Sequence, residues 1–154
     1  MNLIKQSIGY KLRLMIVRGC LLAVCLCFFF VPTALANSQI AEVKVSLGND
    51  RGELKFFPDT LQFQAGTSYK LFLDNPSPTK HYFTSKDFAD ASWTKKVEAG
   101  KVEIKGAIHE LELKPGATAE WVLTPMKSGK YELHCSVAGH AEAGMIGEIV
   151  ISNE

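Results

Sequence analysis

The residues best suited to chemistry lie in one short stretch near the C-terminus, from Tyr131 to Met145. Within it, Cys135, His140 and Met145 follow one another at intervals of five residues. A thiol, an imidazole and a thioether are donors that copper accepts in both of its common oxidation states. The residues between them are small, which lets the chain turn tightly around an ion: Ser136, Ala138, Gly139, Ala141, Ala143 and Gly144. The spacing therefore predicts a mononuclear copper site in this loop.

A fourth ligand must come from another part of the chain, and His81 is the best candidate. It follows the segment Asn75 to Thr79, whose two prolines are expected to make a rigid loop before the next strand. Two imidazoles, a thiolate and a weak axial thioether together make a blue-copper site. We expect His81 to come from a neighbouring strand and to link the two sheets of the domain. The predicted metal ligands are His81, Cys135, His140 and Met145.

The first 36 residues have the pattern of a signal peptide. They contain no acidic residue and four basic ones, Lys5, Lys11, Arg13 and Arg18. An apolar run from Cys20 to Val31 follows and leads to an Ala-x-Ala sequence, which predicts cleavage before Asn37. A membrane span needs roughly 20 apolar residues and this run is shorter, so no stable membrane insertion is expected after cleavage. An uncleaved anchor is the alternative. The sequence predicts export of a single domain, residues 37–154.

Removal of the leader changes the charge and the cysteine count. The remaining chain has 13 basic and 16 acidic residues, a formal net charge of −3, and no basic stripe that would suit nucleic acid. Three of the four cysteines leave with the leader, so Cys135 has no partner for a disulfide. An unpaired thiol in an exported protein is expected to be buried or bound, which favours a metal-bound Cys135.

From Ile40 onwards the sequence is typical of an all-β domain. Short alternating segments are separated by turn residues at near-regular spacing, which predicts seven to nine strands in an antiparallel sandwich. The segment from Phe88 to Val97 is the exception, and we predict one or two helical turns there. The two tryptophans and the phenylalanines at positions 56, 57, 63 and 72 are expected in the core.

The order of His81 and then Cys135-x4-His140-x4-Met145 resembles the cupredoxins, the small blue-copper electron carriers of the plastocyanin, azurin and rusticyanin type. Other segments that resemble the family are Asn75-x5-His81 with Phe83, Gly129-x-Tyr131, and Gly144-Met145-x-Gly147. The likeness covers about Ile40 to Ser152. It implies a Greek-key β-sandwich with one short helical insertion, in a domain that binds one copper ion.

This resemblance also implies a function, the transfer of single electrons between redox partners by a monomer. The loop histidine, here His140, is expected to reach the surface through an apolar patch where partners dock briefly. We expect the small loop residues, together with Pro125 and Met126, to form this patch. A bacterial periplasm or a cyanobacterial thylakoid lumen would be the compartment.

A second likeness argues against an enzyme. The segment from His134 to His140, followed by Met145, is similar to the last motif of multicopper oxidases. Those enzymes have His-Cys-His there, and this chain has Ser136 in place of the second histidine. Four histidines in the whole chain are too few for the additional copper cluster. We therefore expect no oxidase or nitrite reductase activity.

Other interpretations remain open at this point. Met145 could be core filler beside a zinc or red-copper site, His81 a core histidine, and Cys135 an inert buried thiol. We expect His134 to face away from Cys135, and His109 to be a partly buried strand residue outside the site. Met126 as a reserve ligand is less favoured than packing. Copper binding and delivery with the same fold is the alternative to electron transfer.

Overall fold

The computed structural model describes residues 40–153, which form strands and one five-residue helix. The predicted signal peptide lies outside the described residues. In chain order the elements are β1 (Ala41–Leu47), β2 (Phe56–Phe57), β3 (Thr60–Gln64), β4 (Tyr69–Asp74), β5 (His81–Thr84), α1 (Lys86–Asp90), β6 (Ser92–Ala99), β7 (Val102–Ile104), β8 (Glu110–Leu113), β9 (Thr118–Pro125), β10 (Gly129–His134) and β11 (Ile146–Ser152). Within residues 40–153, no helix has the length and apolar character needed to cross a membrane.

Two sheets face each other, as predicted for a β-sandwich. The first sheet has the strand order β2-β1-β4-β9-β6-β7 and the second has the order β3-β11-β10-β5-β8. The sheets are mixed and not purely antiparallel, because β1 lies parallel to β4 and β3 lies parallel to β11. Parallel neighbours need a crossover, and here the chain crosses between the sheets before it returns. The described residues form eleven strands, more than predicted, since β2 and β7 are only two and three residues long.

The alternating pattern of the strands builds the core. In β3, Leu61 and Phe63 point inward while Thr60, Gln62 and Gln64 are exposed. Phe83 and Phe88 pack edge-to-face against Trp121 in the centre of the sandwich. Each such buried side chain contributes roughly 1.5–3 kcal/mol to the stability of the fold. Two aromatic residues expected in the core are instead exposed, Phe57 at 38% and Trp93 at 62%.

The helical segment differs from the prediction. The helix α1 covers only Lys86–Asp90, and the residues from Ser92 to Val97, predicted as helix, belong to strand β6. This strand pairs with β9 through most of its length, with an irregularity between Thr94 and Lys96. Pairing with a neighbouring strand thus outweighs the local helical tendency. The helix contributes Phe88, which packs against Phe63 and Tyr131 and closes one end of the core.

The register places several loops at the same end of the sandwich. Strand β4 finishes at Asp74, which pairs with both Ser46 of β1 and Thr118 of β9. His81, the first residue of β5, pairs with Leu113 at the end of β8. We call this the upper end. The opposite, lower end carries Pro125, which pairs with Ser92 at the start of β6.

Candidate metal centre

His81 reaches the upper end from a loop that the Asn75 side chain organises. The Nδ2 atom of Asn75 donates hydrogen bonds to the carbonyl oxygens of Thr79 at 2.9 Å and Leu113 at 2.8 Å. Its Oδ1 atom accepts a hydrogen bond from the N–H of Ser77 at 3.0 Å. The Asn75 side chain is buried, so these bonds are shielded from water. The loop is therefore held in one conformation up to His81, which is fully buried.

Cys135, His140 and Met145 are joined through the backbone of the segment Cys135–Met145, which we call the ligand loop. The N–H of Cys135 donates a hydrogen bond to the carbonyl oxygen of Met145 at 3.1 Å. The N–H of Met145 donates a hydrogen bond to the carbonyl oxygen of His140 at 2.9 Å. Gly139, with φ +81°, and Gly144, with φ +106°, adopt backbone conformations that favour glycine. The loop is thus closed on itself, and its two ends lie side by side.

The donor atoms of three predicted ligands meet at this point. The Nδ1 atoms of His81 and His140 are 3.2 Å apart. The Sγ atom of Cys135 lies 3.5 Å from Nδ1 of His140 and 3.9 Å from Nδ1 of His81. Within residues 40–153, these three residues form the one group of histidine, cysteine or acidic side chains whose donor atoms converge in this way. His81 and Cys135 are buried, whereas His140 is partly exposed.

These distances fit a bound metal ion. Donors that share an ion, with nitrogen at about 2.0 Å and sulfur at about 2.3 Å from it, must lie roughly 3 to 4 Å apart. The three distances between these donor atoms all fall in this range. Two imidazoles and a thiolate in a buried position are a donor set that suits one copper ion.

The surroundings of His81 favour the neutral imidazole that metal binding requires. Burial lowers the pKa of His81 below its usual value, and the neighbouring His140 lowers it further, so the imidazole of His81 is neutral at physiological pH. Within the described residues Cys135 is a free, buried cysteine. Its sulfur accepts a hydrogen bond from the backbone N–H of Tyr82 at 3.3 Å. Such a bond stabilises a thiolate.

Met145 lies fully buried at the end of the ligand loop, next to Cys135 through the backbone hydrogen bond described above. Its role as the axial ligand stays a prediction. His81 does not link the two sheets, as the sequence suggested, because β5 and β10 are neighbours in the same sheet. It instead lies on a strand of the same sheet as Cys135, since β5 and β10 pair with each other through Thr84 and His134.

The remaining histidines and Met126 lie elsewhere. His134 is on the outer face of its sheet, with Nδ1 2.8 Å from a carboxylate oxygen of Glu132. His109 is exposed just before β8 and not in a strand, and its Nε2 lies 2.7 Å from Oδ1 of Asp90. Met126 is 58% exposed at the lower end, beyond Pro125. The expectation that Pro125 and Met126 contribute to a patch around His140 is therefore wrong.

The residues that flank the partly exposed His140 in the ligand loop are mostly small. The exposed or partly exposed residues of this patch are Val137, Ala138, Gly139, Ala141, Ala143 and Gly144, with Ile146 directly after the loop. Ile146 is 55% exposed, which is unusual for a large apolar side chain. Glu142 is the charged residue within the loop. The upper end thus presents a mostly apolar surface around a histidine whose ring also reaches the buried donor cluster.

Two contributions to the site were not predicted from the sequence. Asn75 and Tyr82 act through hydrogen bonds to backbone groups and to a sulfur atom, and nothing in their spacing indicates these partners. The asparagine six residues before the predicted ligand histidine could have indicated a loop scaffold. The Tyr82 contact uses a backbone N–H, which every residue except proline carries, so no signal in the residue type could have shown it.

Comparison of the sequence with known proteins identifies a family and two relatives. A family model described as a cupredoxin-like domain matches residues 19–151. The chain is 28% identical over 102 residues to the copper-resistant cuproprotein CopI of Rubrivivax gelatinosus, covering 64% of this chain and 60% of that protein. It is 30% identical over 118 residues to chloroplastic plastocyanin of Fritillaria agrestis, covering 77% and 64% respectively. The matched region thus spans less than two thirds of the length of both relatives.

Solved structures share the fold. Reduced auracyanin from Roseiflexus castenholzii superposes with a TM-score of 0.53 at 15% identity, over 73% of this chain and 97% of that chain. A copper-containing nitrite reductase from Thermus scotoductus superposes with a TM-score of 0.54 at 13% identity, over 73% of this chain and 31% of that chain. At these identities the likeness concerns the fold alone.

Proposed function

Because the chain belongs to the cupredoxin-like domain family, we propose that it is a type 1 copper protein that carries single electrons between redox partners. The observation that carries this proposal is the convergence of His81, Cys135 and His140 within hydrogen-bonding distances of one another at the upper end. In this proposal Met145 is the axial ligand, which completes the set predicted from the sequence.

The chain's own residues would shield such a centre from water, hold its ligands in place and adjust its reduction potential. Burial of His81 and Cys135 excludes water and keeps the ligands in one arrangement. The Tyr82 N–H moderates the charge on the Cys135 sulfur, which helps to set the reduction potential. A bound copper ion supplies a one-electron couple between Cu(II) and Cu(I). No bond to a substrate has to form or break.

His140 is the proposed route for the electron, since it is the one member of the donor group that is partly exposed. The small apolar residues around it would let a partner approach its ring closely. A shuttle must release its partner quickly, and weak electron-transfer encounters bury less than about 1,200 Å² in total. We therefore propose transient docking of redox proteins at this patch, with the chain acting as a monomer.

Copper delivery or storage is the second candidate. The likeness to a copper-resistant cuproprotein favours it, and a metal site with one partly exposed ligand could also release its ion to a partner. The two functions differ in what leaves the protein: an electron in one case and the ion in the other. Fast, reversible oxidation at a site that retains its copper would support the carrier.

An enzymatic role is not part of the proposal. A catalytic second metal would need further histidines, and His109 and His134 lie outside the donor group, each beside an acidic residue. Turnover of oxygen or nitrite by the pure protein would contradict this. We also propose export, to a bacterial periplasm or a cyanobacterial thylakoid lumen, from the leader-like sequence of residues 1–36.

The test of the proposed function is the visible absorption spectrum of the expressed protein after addition of Cu(II). We expect an intense blue band from charge transfer between the Cys135 thiolate and copper, and its loss in Cys135→Ala. Stopped-flow oxidation and reduction, followed by copper analysis, then separates a carrier from a delivery protein. A colourless protein that retains zinc under the same conditions would rule out the electron-transfer function.

A further inference from the structure

A compact wall of protein lies behind the His81 ring, on the side that faces away from Cys135 and His140. It is formed by Gly48, Ser77 and Thr79, and we call it the His81 wall. We propose that this wall positions His81 for the metal, with Gly48 as the residue on which the position of the ring depends. The inference rests on the proposed function in one respect, that His81 is a copper ligand.

Gly48 lies so close to the histidine that a side chain at position 48 would press on the ring. A Cβ atom added to Gly48 would lie 3.0 Å from Nε2 of His81 and 2.9 Å from Cβ of Ser77. It would also lie 3.2 Å from the carbonyl oxygen of Glu53. Real Cβ atoms essentially never show a separation of 2.9 Å, and the other two are tighter than nine in ten real Cβ contacts, so a methyl group would force its neighbours to shift. The imidazole therefore lies closer to position 48 than any residue other than glycine would allow.

The backbone conformation at position 48 also favours glycine, independently of the space beside His81. Its φ is +76°, in the left-handed region that favours glycine, and its N–H donates to the carbonyl oxygen of Lys55 at 2.9 Å. This turn carries the chain out of β1 at the upper end. Glycine is thus needed at position 48 for two separable reasons, the turn and the close approach to His81.

The hydroxyl groups of Thr79 and Ser77 complete the wall. Oγ1 of Thr79 lies 3.4 Å from Nε2 of His81, and Oγ of Ser77 lies 3.2 Å from Oγ1 of Thr79. Because Nδ1 of His81 faces the donor group, Nε2 carries the proton of the neutral ring, and the Thr79 hydroxyl is the acceptor within reach. The N–H of Thr79 in turn donates to Ser77 Oγ at 3.3 Å.

The wall is attached to the rigid loop described above. Asn75 binds both Ser77 and Thr79 through its side chain, and Ser77 is buried. His81 therefore has little freedom to withdraw from the metal or to rotate. A ligand whose position is fixed by the protein keeps the geometry similar in both oxidation states, as an electron carrier requires.

The decisive variant is Gly48→Ala, and the chain offers a matched control in Gly66→Ala. Gly66 has a φ of +79°, nearly the same as Gly48, but no atom lies within 4 Å of a Cβ added there. Both variants carry the cost of alanine at positive φ, and only Gly48→Ala presses on His81. We expect at least a tenfold loss of Cu(II) affinity and a shifted thiolate band in Gly48→Ala, and native values in Gly66→Ala.

A second pair of variants tests the wall without introducing a clash. Thr79→Val removes the acceptor for Nε2 of His81, and Thr79→Ser restores it. We expect a changed reduction potential and a changed copper EPR spectrum in Thr79→Val, and values close to native in Thr79→Ser. If Gly48→Ala does not fold, this pair still tests whether the wall acts on His81, through the Thr79 hydroxyl.

The outcomes separate the two proposals. If the native protein gives no thiolate band, the proposed function fails. If the native band is present and Gly48→Ala matches Gly66→Ala in band, affinity and potential, the positioning role of Gly48 fails alone. Identical potentials and EPR spectra in the native protein, Thr79→Val and Thr79→Ser would overturn the role of the hydroxyl.

Discussion

The backbone N–H of Tyr82 donates a hydrogen bond of 3.3 Å to the sulfur of Cys135, and so connects the start of β5 to the ligand loop. The side chain of the same residue points to the outer face of the sheet, where its hydroxyl group binds Glu112. One residue therefore serves the metal site with its backbone and the surface with its side chain. These two contributions can be separated by mutation.

Tyr82→Phe removes the hydroxyl group and keeps the N–H, whereas Tyr82→Pro removes the N–H. A hydrogen bond to a thiolate withdraws charge from sulfur and favours the reduced metal, so its loss should lower the reduction potential. We expect a decrease on the order of tens of millivolts in Tyr82→Pro and no change in Tyr82→Phe. Protein-film voltammetry measures both. Equal potentials in the two variants would show that the Tyr82 N–H has no influence.

Met145→Leu tests the axial ligand. Leucine has nearly the volume of methionine, so the buried position stays filled and the loss of stability should be below about 1.5 kcal/mol. Removal of a weak thioether donor destabilises Cu(II) more than Cu(I), and we expect the potential to rise with the blue band retained. If Met145 is only core filler, potential and spectrum will both be those of the native protein.

Asn75→Ala should destabilise the copper-free protein. The change leaves the carbonyl oxygen of Leu113, the carbonyl oxygen of Thr79 and the N–H of Ser77 without their partner. Each buried unpaired group costs about 1–3 kcal/mol, so we expect a loss of roughly 3 kcal/mol in urea unfolding. Asn49→Ala is the control, since the Asn49 side chain also binds the backbone of a turn, by accepting two N–H bonds, but is less buried. A similar loss in both variants would argue against a special role of Asn75.

The pKa of His81 gives a pH dependence for the copper-free protein. Its pKa is lowered in the folded state, mainly by burial, and is near 6.5 in the unfolded chain. The unfolded state therefore binds the proton more readily, and stability falls as the pH decreases below about 6.5. In His81→Gln this part of the dependence should be absent. We would compare urea midpoints between pH 7.5 and 5.5, above the range in which most carboxylates titrate. Parallel curves for both proteins would contradict the assignment.

Electron self-exchange between two copies tests the docking patch without a known partner. Ile146→Glu places a charge beside the ligand loop, and Met126→Glu places one at the lower end, at a residue of similar exposure (58% against 55%). Like charges at the point of contact slow association, so we expect about a tenfold lower rate at low salt for Ile146→Glu only. The spectrum should be unchanged in both. Equal slowing by both variants would mean that overall charge, and not the patch, determines the rate.

The sequence was sufficient for the parts of the molecule that depend on pattern. Alternation along β3 and β4 and the turn residues between them predicted a β-sandwich. The residue types predicted that His81, Cys135 and His140 lie together, whereas the place of Met145 among the donors stays a prediction. The strand β6 was not predicted because it is stabilised by pairing with β9, and the local sequence does not show this pairing. The parallel pairs likewise follow from long-range topology.

The residues that hold the donor side chains in place could not be predicted from the sequence, and the reason is different. Gly48 was recognisable as a turn residue, but its contact with His81 joins two loops that are far apart in the chain. The Asn75 hydrogen bonds reach Leu113, which is equally distant. Residue types indicate what a side chain can donate or accept, and only the fold decides which partner it meets.

The pairing of β5 with β10 has a consequence for folding kinetics. His81 lies 54 residues before Cys135, so the donor atoms can meet only after these two strands have found each other. Contacts between such distant segments form late, because their loop-closure entropy must be overcome first. Copper should therefore leave the rate of folding almost unchanged and lower the rate of unfolding. The ion would then prolong the lifetime of the folded state without helping to nucleate it.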